Sequence, residues 1–209
     1  LRVMVDPDDE NVLVAATSTG LRRTAEEMSY VMRSTDGGVS WDPVYSSTSR
    51  IEQVLASPNN FLIQYAAVNG KGILKSVDGG VTWTEIFDGF HEVGRLEMAI
   101  APADPNRMYI SAENGFFTST LFISFDGGES WDVKDNRVAD PVNWLGELGW
   151  YSNAVTVDPV NPDRVFVAGL DIYQFDINPT SFEEGYIAEV IETDPARLFF
   201  LDLATEAPD

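Results

Sequence analysis

The sequence has no cysteine among its 209 residues and a single histidine, His91. The first absence excludes disulfides, thiolate metal sites and a cysteine nucleophile. The second leaves a transition-metal site poorly supported, so neither a metal nor a cofactor is expected. Basic residues are scarce, 13 Lys and Arg against 34 Asp and Glu, for a net charge of −21. A chain this acidic repels phosphate backbones and anionic lipid, so no nucleic-acid partner is expected. No apolar run approaches the roughly 20 residues needed to span a bilayer, and no membrane insertion is expected. No basic segment followed by an apolar one opens the chain, which starts "LRVMVDP" as if in mid-strand, and it is read as an excerpt or mature fragment. Nor does an apolar period near 3.6 persist anywhere for the length of a helix.

What is present is repetition, which a sequence reading should settle before anything else. "RSTDGGVSW" (Arg33 to Trp41) returns as "KSVDGGVTW" (Lys75 to Trp83) and "ISFDGGESW" (Ile123 to Trp131). A second phrase, two short apolar strands around a Pro/Asp/Asn turn, interleaves with it. Its copies are "RVMVDPDDENVLVAAT" (from Arg2), "EQVLASPNNFLIQYAAV" (from Glu52), "LEMAIAPADPNRMYISA" (from Leu96) and "NAVTVDPVNPDRVFVAG" (from Asn153). Each unit reads as four short strands rich in Val, Ile, Tyr and Phe and bounded by turn residues. Units of this length with four strands each predict an all-β fold, a β-propeller of four-stranded antiparallel blades. The predicted units are 1–50, 51–94, 95–151 and 152–182, with 183–209 closing the fourth and opening a possible fifth. The first strand of each, such as 54–56 or 155–157, is expected innermost, with 12–16 or 165–168 packed behind it.

The repeated box has a local physical logic. Its Gly pair admits the positive φ that a tight turn requires. The Asp can accept hydrogen bonds from turn amides, and the Ser or Thr hydroxyls can close the loop. The Trp brings a large apolar face and an indole N–H that needs one acceptor. The box is expected between the third and fourth strands, with its Trp opening the fourth.

These residues resemble the Asp-box, or bacterial neuraminidase repeat. The matching positions are Ser34, Asp36, Gly38 and Trp41; Ser76, Asp78, Gly80 and Trp83; and Ser124, Asp126, Gly128 and Trp131. The resemblance covers about residues 2–176 and is closest in style to sortilin-like and xyloglucanase-like propellers. It implies that the boxes are folding elements remote from the active face. It also implies six or more blades, so the four seen here are expected to be part of a larger ring. Remaining blades of a parent chain, or a partner subunit, would complete it. The fourth unit departs from the pattern: "INPTSFEEGYIAEVIE" carries no box.

Ligands of propellers usually meet the face formed by connections between consecutive blades. The longest of these, 135–152, carries Trp144, Trp150 and Tyr151, with Gly146 and Gly149 to bend the backbone. Long aromatic loops tend to serve function, and aromatics can stack on sugars or anchor a protein. Capping the blade ends as satellite core is the alternative reading. The carboxylates on that face are Glu92, Asp140 and Glu147, weak catalytic candidates because a glycosidase needs two across a cleft. No counterpart of the sialidase arginine triad is evident, and no first-strand motif matches the catalytic Asp of the xyloglucanase type. His91 reads as an exposed loop residue, and the acidic turn Asp6, Asp8, Asp9 and Glu10 lacks the spacing of a calcium loop. The sequence thus points to an exported, bacterial extracellular or cell-surface module that binds a protein or glycan without catalysis. The alternative is part of a glycoside hydrolase of the xyloglucanase or sialidase type.

Overall fold

The computed structural model describes residues 2–18, 28–87, 93–114, 118–134, 143–177 and 188–192. They form four antiparallel four-stranded sheets, each a meander of consecutive strands. Blade 1 holds β1 (Val3–Val5), β2 (Leu13–Ala16), β3 (Ser29–Ser34) and β4 (Asp42–Ser47). Blade 2 holds β5 (Ile51–Ser57), β6 (Asn60–Val68), β7 (Gly72–Ser76) and β8 (Thr84–Phe87). Blade 3 holds β9 (Val93–Ile100), β10 (Met108–Asn114), β11 (Thr118–Ser124) and β12 (Asp132–Lys134). Blade 4 holds β13 (Ala154–Val157), β14 (Arg164–Ala168), β15 (Ile172–Asp176) and β16 (Ala188–Glu192). The one helical feature described is a 3-10 turn at Gly146–Leu148.

Short strands alternate their side chains between the two faces of a sheet, and here both faces of the inner blades are apolar, so each is buried against a neighbour. Val14, Val31, Ile51, Val54, Ala66 and Leu74 make the core between blades 1 and 2. Tyr65, Ile73, Leu96, Met98, Met108 and Ile110 make the core between blades 2 and 3. Tyr109, Leu121, Ile123, Val165, Val167 and Phe175 do the same between blades 3 and 4. The first strands of consecutive blades touch one another. They wall a hollow of about 250 Å³ lined by Arg2, Leu55, Met98, Ile100, Val155 and other first-strand residues. The innermost strands therefore line the central channel.

The three boxes superpose in their bonding. Ser34 Oγ donates to Asp36 (2.8 Å) and accepts from the Gly38 amide (2.9 Å), while Ser40 donates its amide and hydroxyl to Asp36 (2.9 and 2.6 Å). Ser76, Asp78, Gly80 and Thr82 repeat the set, as do Ser124, Asp126, Gly128 and Ser130. The glycine pairs all have positive φ, 70° and 86° in the first box and nearly the same in the others. Each indole donates to the carbonyl of its own box's second glycine, Trp41 to Gly38, Trp83 to Gly80 and Trp131 to Gly128. The Trp stands one residue before the fourth strand rather than opening it, because that bond curls the ring back over the turn. Trp83 and Trp131 then pack against the cores shared with the preceding blade.

Every box also docks on the start of the second strand of its own blade or on the turn just before it. The amides of Gly37, Gly79 and Gly127 donate to the carbonyls of Asn11, Leu62 and Asn106 (3.0, 3.0 and 2.9 Å). Boxes and first turns therefore share one end of blades 1 to 3, and the connections between blades lie at the other.

Candidate functional site

The connection from blade 3 to blade 4 is described from Asn143 onward, and it splits its aromatics between core and surface. Trp144, expected on a binding platform, is instead 1% exposed. Its indole donates to Ser111 Oγ (2.9 Å), and its ring meets Phe175 edge-on at 5.8 Å. That is a correction: a buried Trp with its N–H satisfied plugs the gap between blades 3 and 4. Trp150 and Tyr151 are 46% and 70% exposed, with ring centroids 5.6 Å apart and planes tilted by 54°.

Backbone bonding fixes this pair in place. The amides of Leu170 and Asp171 donate to the Trp144 carbonyl, and Ser152 Oγ donates to the Gly169 carbonyl (3.1 Å). Asn143 Oδ1 accepts from Ser119 Oγ and from the Gly146 amide (2.8 and 3.1 Å). Gly146 adopts φ 54°, and a side chain there would run into Leu170. Leu148 and Leu170 add exposed apolar surface at the same end. The result is a tethered aromatic ridge, able to stack on a ring or fill a partner's pocket.

Beneath the ridge, a chain of polar groups runs back onto blade 3. Ser111 Oγ donates to Asn153 Oδ1 (2.7 Å), and the Asn153 amide nitrogen donates to the carbonyls of Ser111 and Arg95. Arg95 Nη2 donates to Glu97 (2.7 Å). Burial pushes the Glu97 carboxyl above its ordinary value, and Arg95 only partly opposes that. On the next blade Glu52 is buried, accepting from Asn69 (3.0 Å) and facing Arg50. The Glu113 side chain occupies a slot where a Cβ at Gly94 or Gly149 would clash with it. Glu52, Glu97 and Glu113 escaped the sequence reading because they lie in strands, where a charged residue at a predicted strand position gives no local signal.

Glu147 sits exposed in the 3-10 turn. Glu92, Asp140 and His91 lie outside the described residues, as does 197–204, the possible start of a fifth unit. Among the described residues no group of three or more His, Asp or Glu is arranged to hold a metal ion. No helix among them is long and apolar enough to cross a membrane.

Comparison with known proteins agrees with this architecture. The BNR/Asp-box repeat family matches residues 122–133, the third box. No curated protein matches the sequence. Among solved structures, an ancestral GH74 enzyme superposes on 83% of this chain and 22% of its own, at 19% identity and a TM-score of 0.60. An auxiliary nutrient binding protein from Bacteroides thetaiotaomicron superposes on 90% of this chain and 40% of its own, at 11% identity and a TM-score of 0.56. The chain thus spans well under half the length of either. With three boxes in register on packed four-stranded blades, the chain carries the BNR/Asp-box repeat on a β-propeller fold.

Proposed function

We propose that this chain is a non-catalytic, exported propeller module that binds a glycan or protein ligand through Trp150 and Tyr151. The observation that carries the reading is the exposure of two adjacent aromatics on a connection tied by hydrogen bonds to blade 4. Aromatics held in place before binding lose little entropy when a ligand arrives. The fold shared with a nutrient binding protein supports a ligand-holding role. Trp150→Ala should leave the melting temperature within a few degrees of wild type. It should weaken binding to a glycan-array ligand by about 1–3 kcal/mol, the scale of one aromatic anchor. Collapse of the fold on this substitution would assign Trp150 to the core and remove the site.

A second reading, part of a glycoside hydrolase of the xyloglucanase or sialidase type, draws on Glu97. A half-buried carboxyl on an innermost strand, with its pKa raised by desolvation, suits a general acid. The second carboxylate that hydrolysis needs would come from further blades across the channel. On this reading, release of reducing sugar from xyloglucan or a sialoside would be abolished by Glu97→Gln. Absence of any hydrolysis by the wild-type chain joined to its remaining blades would remove it.

A further inference from the structure

The turns between the first two strands of the four blades are built on one frame. A side-chain oxygen of Asp9, Asn60, Asp104 or Asn161 accepts from the amide two residues on, at 3.0, 3.0, 3.1 and 3.1 Å. The residue so fixed offers its carbonyl to a box glycine, or to the Ile177 amide in blade 4. The two residues after the capping one are Glu10 and Asn11 in blade 1, Pro105 and Asn106 in blade 3, and Pro162 and Asp163 in blade 4. In blade 2 they are Phe61 and Leu62. The frame uses only backbone atoms at these two positions, so it does not call for large apolar side chains there. Leu62 is nonetheless 53% exposed, and Phe61 is half-buried against the core between blades 1 and 2.

Both residues line a cleft of about 690 Å³ between the first turns of blades 1 and 2. Its other wall is blade 1, with Met4, half-buried against the same core, and the acidic Asp6 and Asp8. No Lys or Arg lines the cleft. Among the described residues neither carboxylate is paired with one. Asp6 accepts from the Asp8 amide (3.0 Å), a bond that an uncharged Asn would keep. Small-molecule sites commonly enclose several hundred Å³ and set a few polar groups against an apolar wall.

We propose that this cleft binds a small organic cation, an ammonium group on an apolar body the size of an arylalkyl amine. The body covers Met4, Phe61 and Leu62, and the ammonium group meets Asp6 and Asp8. Charge complementarity fixes the sign, because two carboxylates stand on one wall and the lining holds no cation of its own. A neutral analogue gains only the apolar contact, and an anion is repelled. The cleft lies at the box end of the blades, opposite the aromatic ridge, and the inference is independent of the ridge.

Phenethylammonium, phenethyl alcohol and phenylacetate have nearly the same shape and carry a positive, no and a negative charge. Each is titrated into the whole chain at near-physiological salt, where diffuse attraction to the acidic surface is screened, and amide chemical shifts are followed. Phenethylammonium should shift Asp8, Phe61 and Leu62 and bind at least about fivefold more tightly than the alcohol. Phenylacetate should shift none of them. Asp6→Asn with Asp8→Asn should bring the cation down to the alcohol's affinity, and Asp8→Asn alone should remove part of the preference should the double variant not fold. Leu62→Ser should weaken cation and alcohol by about the same factor. Equal binding of cation and alcohol would overturn the proposal, as would shifts spread over the surface or a cation affinity indifferent to Leu62→Ser. So would an N-acetyl-Leu-Lys-amide that binds here more than about tenfold more tightly than phenethylammonium, since the occupant would then be a protein segment.

Discussion

The boxed blades and blade 4 solve one problem by two chemistries. Between blades 1 and 2, and again between 2 and 3, a cation from one blade caps a glycine carbonyl of the next. Val14 and Tyr65 meanwhile pack where Gly80 and Gly128 leave no room for a side chain. Blade 4 has no box, and at the junction before it the cation position holds Ile123, buried in an apolar core. There Tyr109 donates its hydroxyl to the Pro162 carbonyl (2.7 Å) and Arg107 pairs with Asp163 while lying over Phe125, and from the opposite end Trp144 fills the core between the two blades. One backbone bond survives the change: the Ile177 amide donates to the Asp163 carbonyl (2.7 Å), as the box glycines do to their first turns. The blade frame asks only that this end be held shut. A local polar loop does it three times, and the long-range contacts of Tyr109 and Arg107 do it once.

Removing each lock should show how different they are. Trp144→Ala empties a large buried volume and removes the indole's bond to Ser111, so a loss of about 3–5 kcal/mol is expected in urea or guanidinium melts. If the loss is under 1 kcal/mol, blade 4 is held by its strands alone and the contrast fails. Ser76→Ala is smaller in effect. It leaves the buried Gly80 amide without its acceptor, at a cost of about 1–3 kcal/mol. Ser34→Ala, in the box with an open flank, should cost less when measured in the same melts, because water can reach the freed amide.

The smallest effect is that of pH. Hydrogen bonds from Ser40 hold Asp36 down to about 2, and those from Thr82 hold Asp78 down to about 2, from an ordinary 3.8. Desolvation raises Asp126, but hydrogen bonds from Ser130 and Ser124 together outweigh it and leave the carboxyl below its ordinary value. A carboxylate whose folded pKa is depressed contributes stability that is complete above the unfolded value and lost as pH falls through the folded one. Exchange protection at Ser40, Thr82 and Ser130 should therefore fade between about pH 4 and 2 while the Trp144 core keeps its own. These carboxylates are largely solvated, so the global midpoint should move little. A midpoint that collapses at pH 4 would mean the boxes carry more than a local turn.

The parts legible in sequence were those whose partners are near in the chain. Asp36, Ser34 and Gly38 bond within a few residues of one another, so the residue types alone imply the turn. The alternating apolar strands gave the blades for the same reason. Arg33 and Lys75 reach acceptors 46 and 52 residues away, and nothing beside them in the sequence marks that use. Trp144 and Trp150 stand six residues apart in one loop, and only the position of Phe175 and Ser111 decides that the first turns inward. The retained bond at Ile177 was equally hidden, since a backbone amide donates whatever its side chain.

The compactness of the box has a kinetic consequence. All of its side-chain bonds close loops of two to four residues, so it can assemble on the microsecond scale of a hairpin, before distant contacts form. The plug at blade 4 joins residues 31 to 33 positions apart, Trp144 to Phe175 and to Ser111, and must wait for that longer closure. Each box hairpin can therefore set on its own, and blade 4 closes only after the preceding sheet has become its template.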